Sequence, residues 1–167
     1  MNLENLKLTA FVNLYGFFKI PLVFFVTPRV VEVTETRFVV KVPLNRRTKN
    51  HLNSMYFGAM GIGAELSVAA AAVQAIAKSK QKIDFIFKDF SGQYLKRGDG
   101  DVHFICEEVA EVTKLIEEAK TNPERIEKKF KGYAVVPSTH PTDPIMTYEL
   151  TLSVRNRSLA KKQLNPN

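Results

Sequence analysis

Residues 50–77 read NHLNSMYFGAMGIGAELSVAAAAVQAIA, and the reading of this stretch decides the fold. It predicts a helix from about Met55 to Lys78, and between Lys49 and Lys78 the only ionisable carboxylate is Glu65. A helix this apolar on every face belongs inside a protein. An ionised carboxylate held out of water without partners is costly, so Glu65 needs a shifted pKa, a partner or a role. It follows Gly58 by seven residues, two turns along nearly the same face. Gly58, Gly61 and Gly63 lower helix propensity, which points to close packing or to a ligand near the backbone. Ser54 reads as the helix N-cap.

Around this helix the chain alternates simple elements. FVNLYGFFKIPLVFFV (11–26) is shorter than a membrane span and is broken by Asn13, Lys19 and Pro21. Glu4 and the lack of a small-residue cleavage site argue against a signal peptide. The expectation is an amphipathic N-terminal helix over about 3–20, packed on the domain or on a second subunit, with membrane attachment as its alternative. RVVEVTE (29–35) and TRFVVKVPL (36–44) are rich in β-branched residues and read as strands, with Glu35-Thr36 a poor turn between them. Asn45–Asn53 is a polar loop. KIDFIFKDFSGQYLKR (82–97) alternates as a strand, Gly98–Asp101 is a turn, and VHFICEE (102–108) is another strand. Val109, Val112, Ile116 and Ala119 form the apolar stripe of a surface helix ending near Asn122-Pro123. Strands over 124–138 and 146–157 flank a turn-rich loop. No internal repeat appears.

One central apolar helix among long antiparallel strands requires a sheet that curls around it. This is an α+β chain with a hotdog architecture and an extra N-terminal helix. Residues 1–157 form one domain, followed by a basic, disordered tail over 158–167. Two such sheets joined edge to edge would also remove exposed strand edges. The 45% hydrophobic and 25% charged balance suits a soluble globular domain. Lone Cys106 excludes an internal disulfide and fits a reducing, cytoplasmic compartment. No cysteine or histidine spacing supports a zinc site. Of the net charge of +7, four cations (Arg155, Arg157, Lys161 and Lys162) lie in the last thirteen residues. That reads as a solvated tail, with a nucleic-acid or membrane contact as its alternative.

The segment Asn50-His51-Leu52-Asn53-Ser54-Met55-Tyr56-Phe57-Gly58, followed by Glu65, resembles the thioesterase branch of the hotdog superfamily. It is most similar to the phenylacetic-acid-degradation type and related uncharacterised thioesterase families. The resemblance places Gly58 on the second of two glycines, Glu65 on the catalytic acid and Asn50 on an upstream asparagine. Tyr56 and Phe57 depart from it, standing where a histidine and the first glycine are often found.

The resemblance implies an acyl-CoA thioesterase needing no metal and no cofactor beyond the coenzyme A of its substrate. It further implies a homodimer or homotetramer with its pocket at the subunit boundary. Gly58 at the helix N-terminus would polarise the thioester carbonyl. Glu65 would be general base or nucleophile, and Asn50 would orient water or the carbonyl. Arg46, Arg47 and Lys49 would hold phosphates, while His51, Ser54 and Tyr56 are further candidate contacts. Each has a plainer reading: a paired buried glutamate, a packing glycine, a loop asparagine, a solvated basic loop. His51 with Glu65 also leaves a dehydratase-type pair open. The alternative to an enzyme is a non-catalytic acyl-CoA or fatty-acyl-binding module. No Gly-x-Ser-x-Gly elbow and no phosphate-binding glycine loop is present.

Overall fold

From its N-terminus the chain forms helices α1 (Leu3–Lys19) and α2 (Pro21–Phe25), strands β1 (Arg29–Val33) and β2 (Phe38–Val42), and helix α3 (Phe57–Ser79). Strands β3 (Ile83–Tyr94) and β4 (Val102–Cys106), helix α4 (Val109–Ala119), strands β5 (Ile126–Val135) and β6 (Met146–Asn156), and helix α5 (Arg157–Leu164) follow. This is a computed structural model, and it describes residues 3–164.

All six strands pair antiparallel, in the order β1-β2-β4-β5-β6-β3. The weak Glu35-Thr36 turn is rescued by Thr34. Its Oγ1 accepts from the Arg37 amide at 2.9 Å while its own amide donates to the Arg37 carbonyl at 2.8 Å. The sheet curls around α3, which packs on β2, β4 and β5 and against α4. Phe38, Phe104, Phe130, Leu150 and Leu152 fill the space between them and are fully buried. α3 is long and apolar enough to cross a membrane by length and composition, yet most of it lies within this core.

Small residues let α3 approach the sheet. Gly63 is buried against β4, and a Cβ there would overlap the Phe104 ring. Ser67 lies one turn on, its Oγ 2.8 Å from the Tyr148 hydroxyl, which is also 3.1 Å from the Ile105 carbonyl. Burial pushes the Tyr148 phenol far above its usual range. Gly61, by contrast, has nothing within 4 Å of where its Cβ would stand. The expectation of a helix buried on every side therefore needs correction: one stripe of α3 stays open.

The N-terminal helix keeps its expected bounds, while its polar side is turned differently. It ends at Lys19, and Pro21 starts the short α2 as its first residue instead of ending helical structure. Its uncharged polar residues Asn5, Thr9 and Asn13 point inward. Asn5 Nδ2 donates to the Val31 carbonyl at 2.5 Å, the Val30 amide donates to Thr9 Oγ1 at 2.8 Å, and Asn13 Nδ2 donates to the Pro28 carbonyl at 2.8 Å. These bonds satisfy the outer edge of β1, which would otherwise be unpaired. At the other end of the chain, residues 157–164 form α5 where a disordered tail was expected, with Arg157 paired to Asp84 at 2.5 Å. Residues 165–167 of that tail lie outside the described residues.

Gly63→Ala is expected to lower stability by about 1–3 kcal/mol through overpacking against Phe104. Gly61→Ala is expected to raise it, by at most about 1 kcal/mol, through helix propensity alone. Urea denaturation of the two variants checks both signs.

Candidate active site

The open stripe of α3 carries Gly58, Gly61, Ile62, Glu65 and Ala69, and it faces a cavity of about 880 Å³. The far walls are Leu8, Phe11 and Tyr15 of α1 and Phe85, Phe87 and Phe90 of β3. Apolar groups dominate, and the charged or amide side chains that reach the wall are Glu65, Gln74 and Asp89. The volume and the few polar groups are those of a small-molecule site.

Glu65 stands at the open side of this cavity, accessible instead of buried as expected. Its apolar surroundings still raise its pKa above the usual glutamate range. Among the described residues nothing donates a hydrogen bond to its carboxylate or pairs with it. A carboxyl so placed holds its proton more tightly than a solvated one and has no structural partner.

Two turns earlier, α3 begins without a side-chain cap. Its N-cap is Tyr56, in extended backbone with φ −64° and ψ 136°, and not Ser54. The first-turn amides of any α-helix lack intrahelical partners, so here they are left to backbone, solvent or ligand. The Tyr56 ring lies over Gly58, where a Cβ would meet it, so a side chain here would displace this exposed ring as well as hinder the approach of a ligand. Tyr56 meets Phe57 edge-on at 5.2 Å, and Phe57 meets Tyr94 of β3 at 6.1 Å. These aromatics form the rim beside Gly58.

The structure thus puts Glu65 and Gly58 on one cavity wall, with the Tyr56 ring beside Gly58 but outside the lining, and leaves the other expected site residues elsewhere. Asn50 shapes the loop before α3. Its Oδ1 accepts from the amides of Leu52 at 2.8 Å and Ser54 at 3.2 Å, and its Nδ2 donates to Ser54 Oγ at 3.1 Å. Ser54 is buried in that loop. His51 is exposed and does not line the cavity, so no His–Glu pair forms there. Arg46 and Lys49 are exposed on the loop, with Lys49 donating to Asn53 Oδ1 at 3.2 Å. The Arg47 guanidinium sits over the Phe25 ring at 5.8 Å, turned towards α2.

Sequence reasoning missed Gln74 and Asp89. Gln74 interrupts the apolar run nine residues after Glu65, beyond Ser67. Asp89 sits at a bulge in β3, between Phe87 and Phe90. Its Oδ1 accepts from the Thr151 amide at 3.1 Å and its Oδ2 from the Thr151 hydroxyl at 2.8 Å. The break in alternation at Lys88-Asp89 was the available signal. Among the described residues no cluster of three His, Cys, Asp or Glu side chains could hold a metal ion.

Solved structures share this architecture. A protein of unknown function from Chlorobaculum tepidum matches with a TM-score of 0.77 at 9% identity, over 92% of this chain and 97% of its own. A Pseudomonas aeruginosa protein, described as of unknown function and a probable thioesterase, matches with a TM-score of 0.69 at 19% identity. That match covers 89% of this chain and 96% of the other. A thioesterase from Haemophilus influenzae matches with a TM-score of 0.62 at 14% identity, over 86% and 88%. At such identities these likenesses establish the fold, which is the hotdog fold of thioesterase-family proteins. No curated protein matches the sequence. The model of the domain of unknown function DUF4442 matches residues 9–131, most of the chain, and the protein belongs to that family.

Proposed function

We propose that the protein hydrolyses acyl thioesters, with Glu65 as general base or nucleophile and the α3 N-terminus at Gly58 as oxyanion site. The observation that carries this reading is Glu65 itself: unpartnered, its pKa raised by apolar surroundings, on the same cavity wall as an uncapped helix N-terminus. The acyl chain would lie along the apolar cavity with its carbonyl oxygen at the Gly58 amide, where backbone dipoles stabilise developing negative charge. In the general-base route Glu65 takes a proton from water, and the water oxygen adds to the carbonyl carbon. The C–S bond then breaks, and the thiolate leaves with the proton that Glu65 took up.

Asn50 would act at one remove, by fixing the loop that delivers the start of α3. Arg46 and Lys49 on the same loop would contact the phosphates of coenzyme A. The resemblance to thioesterases of the phenylacetic-acid-degradation type makes aromatic acyl groups part of the test panel.

The assembly we propose is a dimer or tetramer built through β3. Among the two sheet edges, β1 is covered by α1, whereas β3 is twelve residues long and exposes Ile86, Phe90 and Tyr94. A long edge with exposed apolar side chains is a candidate pairing surface. Pairing there would close the cavity, which β3 walls on one side.

A thiol-release assay over short, medium, long and aromatic acyl-CoAs is expected to show turnover that Glu65→Gln lowers at least about a hundredfold. Turnover that survives the substitution would leave Glu65 outside the chemistry, and binding without turnover would make the protein an acyl-binding module. The same variant should gain stability. The carboxyl's pKa is higher folded than unfolded, so ionising it opposes folding, and stability falls as pH rises through the glutamate range. Glu65→Gln is therefore expected to match wild type below about pH 4 and to melt above it at about pH 7. Light scattering is expected to give at least twice the 18.9 kDa chain mass, reduced towards one chain by Ile86→Lys with Phe90→Lys.

A further inference from the structure

The helix α1 is built inside out. Asn5, Thr9, Asn13 and Gly16 recur at helical spacing and face the fold, where the first three bond the backbone of residues 28–31 and Gly16 lets α2 approach. One flank of the helix, with Leu8 and Val12, packs on the core and lines the cavity. The side opposite the polar stripe carries Leu3, Leu14 and Phe18, with Phe17 on the flank towards α2, all exposed, Leu14 at 61% and Phe18 at 70%. α2 extends this surface with Leu22, at 66%, and Phe25. Solvated apolar patches of this kind mark docking surfaces.

The charge around the patch identifies the occupant. No acidic residue occurs between Asn5 and Val31 or between Thr36 and Ala64. In those stretches the exposed cations include Lys7, Lys19, Arg29 and Arg47; Lys7 shares the Leu3, Leu14 and Phe18 side of α1, where exposed Glu4 adjoins Leu3. Arg47 is in contact with the apolar surface, its guanidinium over the Phe25 ring. A second copy seated on the same patch would set cations against cations, since an isologous contact repeats one surface on both sides. Exposed aromatic and leucine side chains on a segment that carries cations and few acids suit the headgroup boundary of an anionic bilayer.

We propose that the α1–α2 hairpin docks this protein on anionic lipid bilayers, inserting Leu14, Phe17, Phe18 and Leu22 with Lys7, Lys19, Arg29 and Arg47 at the headgroups. The hairpin also walls the cavity through Leu8, Phe11, Val12, Tyr15 and Ile20. A docked protein would thus hold its acyl-sized cavity one helix thickness from the lipid. The docking itself does not depend on hydrolysis.

The test is co-sedimentation of the full chain with vesicles of phosphatidylcholine alone or with about one third phosphatidylglycerol. Wild type is expected to partition at least about tenfold more strongly onto the anionic vesicles, and high salt should reduce the difference. Leu14→Asp with Phe18→Asp, and separately Lys7→Glu with Lys19→Glu, are expected each to lower that partition about tenfold or more. All four side chains are exposed, so circular dichroism melting should report an intact fold for both variants. Wild type that ignores anionic vesicles overturns the proposal, as does binding unchanged by Leu14→Asp with Phe18→Asp. If those substitutions instead dissociate an oligomer and wild type leaves vesicles untouched, the patch is covered by a second copy and the proposal fails. Turnover of soluble acyl-CoA is read separately, so loss of the catalytic reading would leave this one standing.

Discussion

The approach of Gly63 to the Phe104 ring sets where α3 lies, and the rest of the site follows from it. With no Cβ at 63 the helix axis can come close to β4, and Ser67, one turn on, reaches Tyr148 of β6. Residues two apart on a helix point about 200° apart. Seating Gly63 against the sheet therefore turns Glu65 to the opposite side. The same rotation carries Gly58, Ile62 and Ala69 into the open stripe. A larger residue at 63 would lift the helix and narrow the cavity that this stripe faces. Core packing and the position of the acid are one constraint seen from two sides of a helix.

The two sheet edges are treated differently, and that difference accounts for α1. β1 is covered by a helix that spends its amide and hydroxyl side chains on strand backbone. A helix so used cannot also bury a full apolar face against the same sheet, and its leucines and phenylalanines end up outside. β3 receives no such cover and keeps an apolar edge. Both surfaces border the cavity, so whatever covers either also governs access to it.

Much of this was legible in residue patterns. β-Branched runs located β1 and β2, alternation located β3, the segments 102–108, 124–138 and 146–157 read as the other strands, and the stripe Val109, Val112, Ile116 and Ala119 located α4. The run 55–78 announced the central helix. What escaped reading depends on contacts distant in sequence. Uniform apolarity hides which face of α3 meets the sheet and suggests a buried Glu65, whereas Glu65 borders a cavity. Asn5, Thr9 and Asn13 resemble the polar side of an ordinary amphipathic helix, and only the position of β1 shows that this side faces inward. Ser54 has the chemistry of a cap, but Asn50 engages it first. The catalytic-looking Asn50 is, for the same reason, occupied by its own loop. Asp89 lies in the cavity wall because β3 bulges there, a local offset that alternation alone does not place.

The geometry of α3 also bears on how Gly58 and Glu65 can cooperate. Their Cα atoms are about 10 Å apart along the axis, at 1.5 Å per residue over seven residues. Side chains on a helix lean towards its N-terminus, so the Glu65 carboxyl reaches back along the open stripe towards Gly58. The span that remains suits a carbonyl with a water beside it better than direct contact between the acid and the oxyanion site. Between them lie Gly61, which has no side chain, and Ile62, and nothing polar on the stripe competes for the water. That spacing favours Glu65 acting through water over direct attack on the carbonyl, and it makes the bare backbone at Gly61 part of the space in which the reaction would occur.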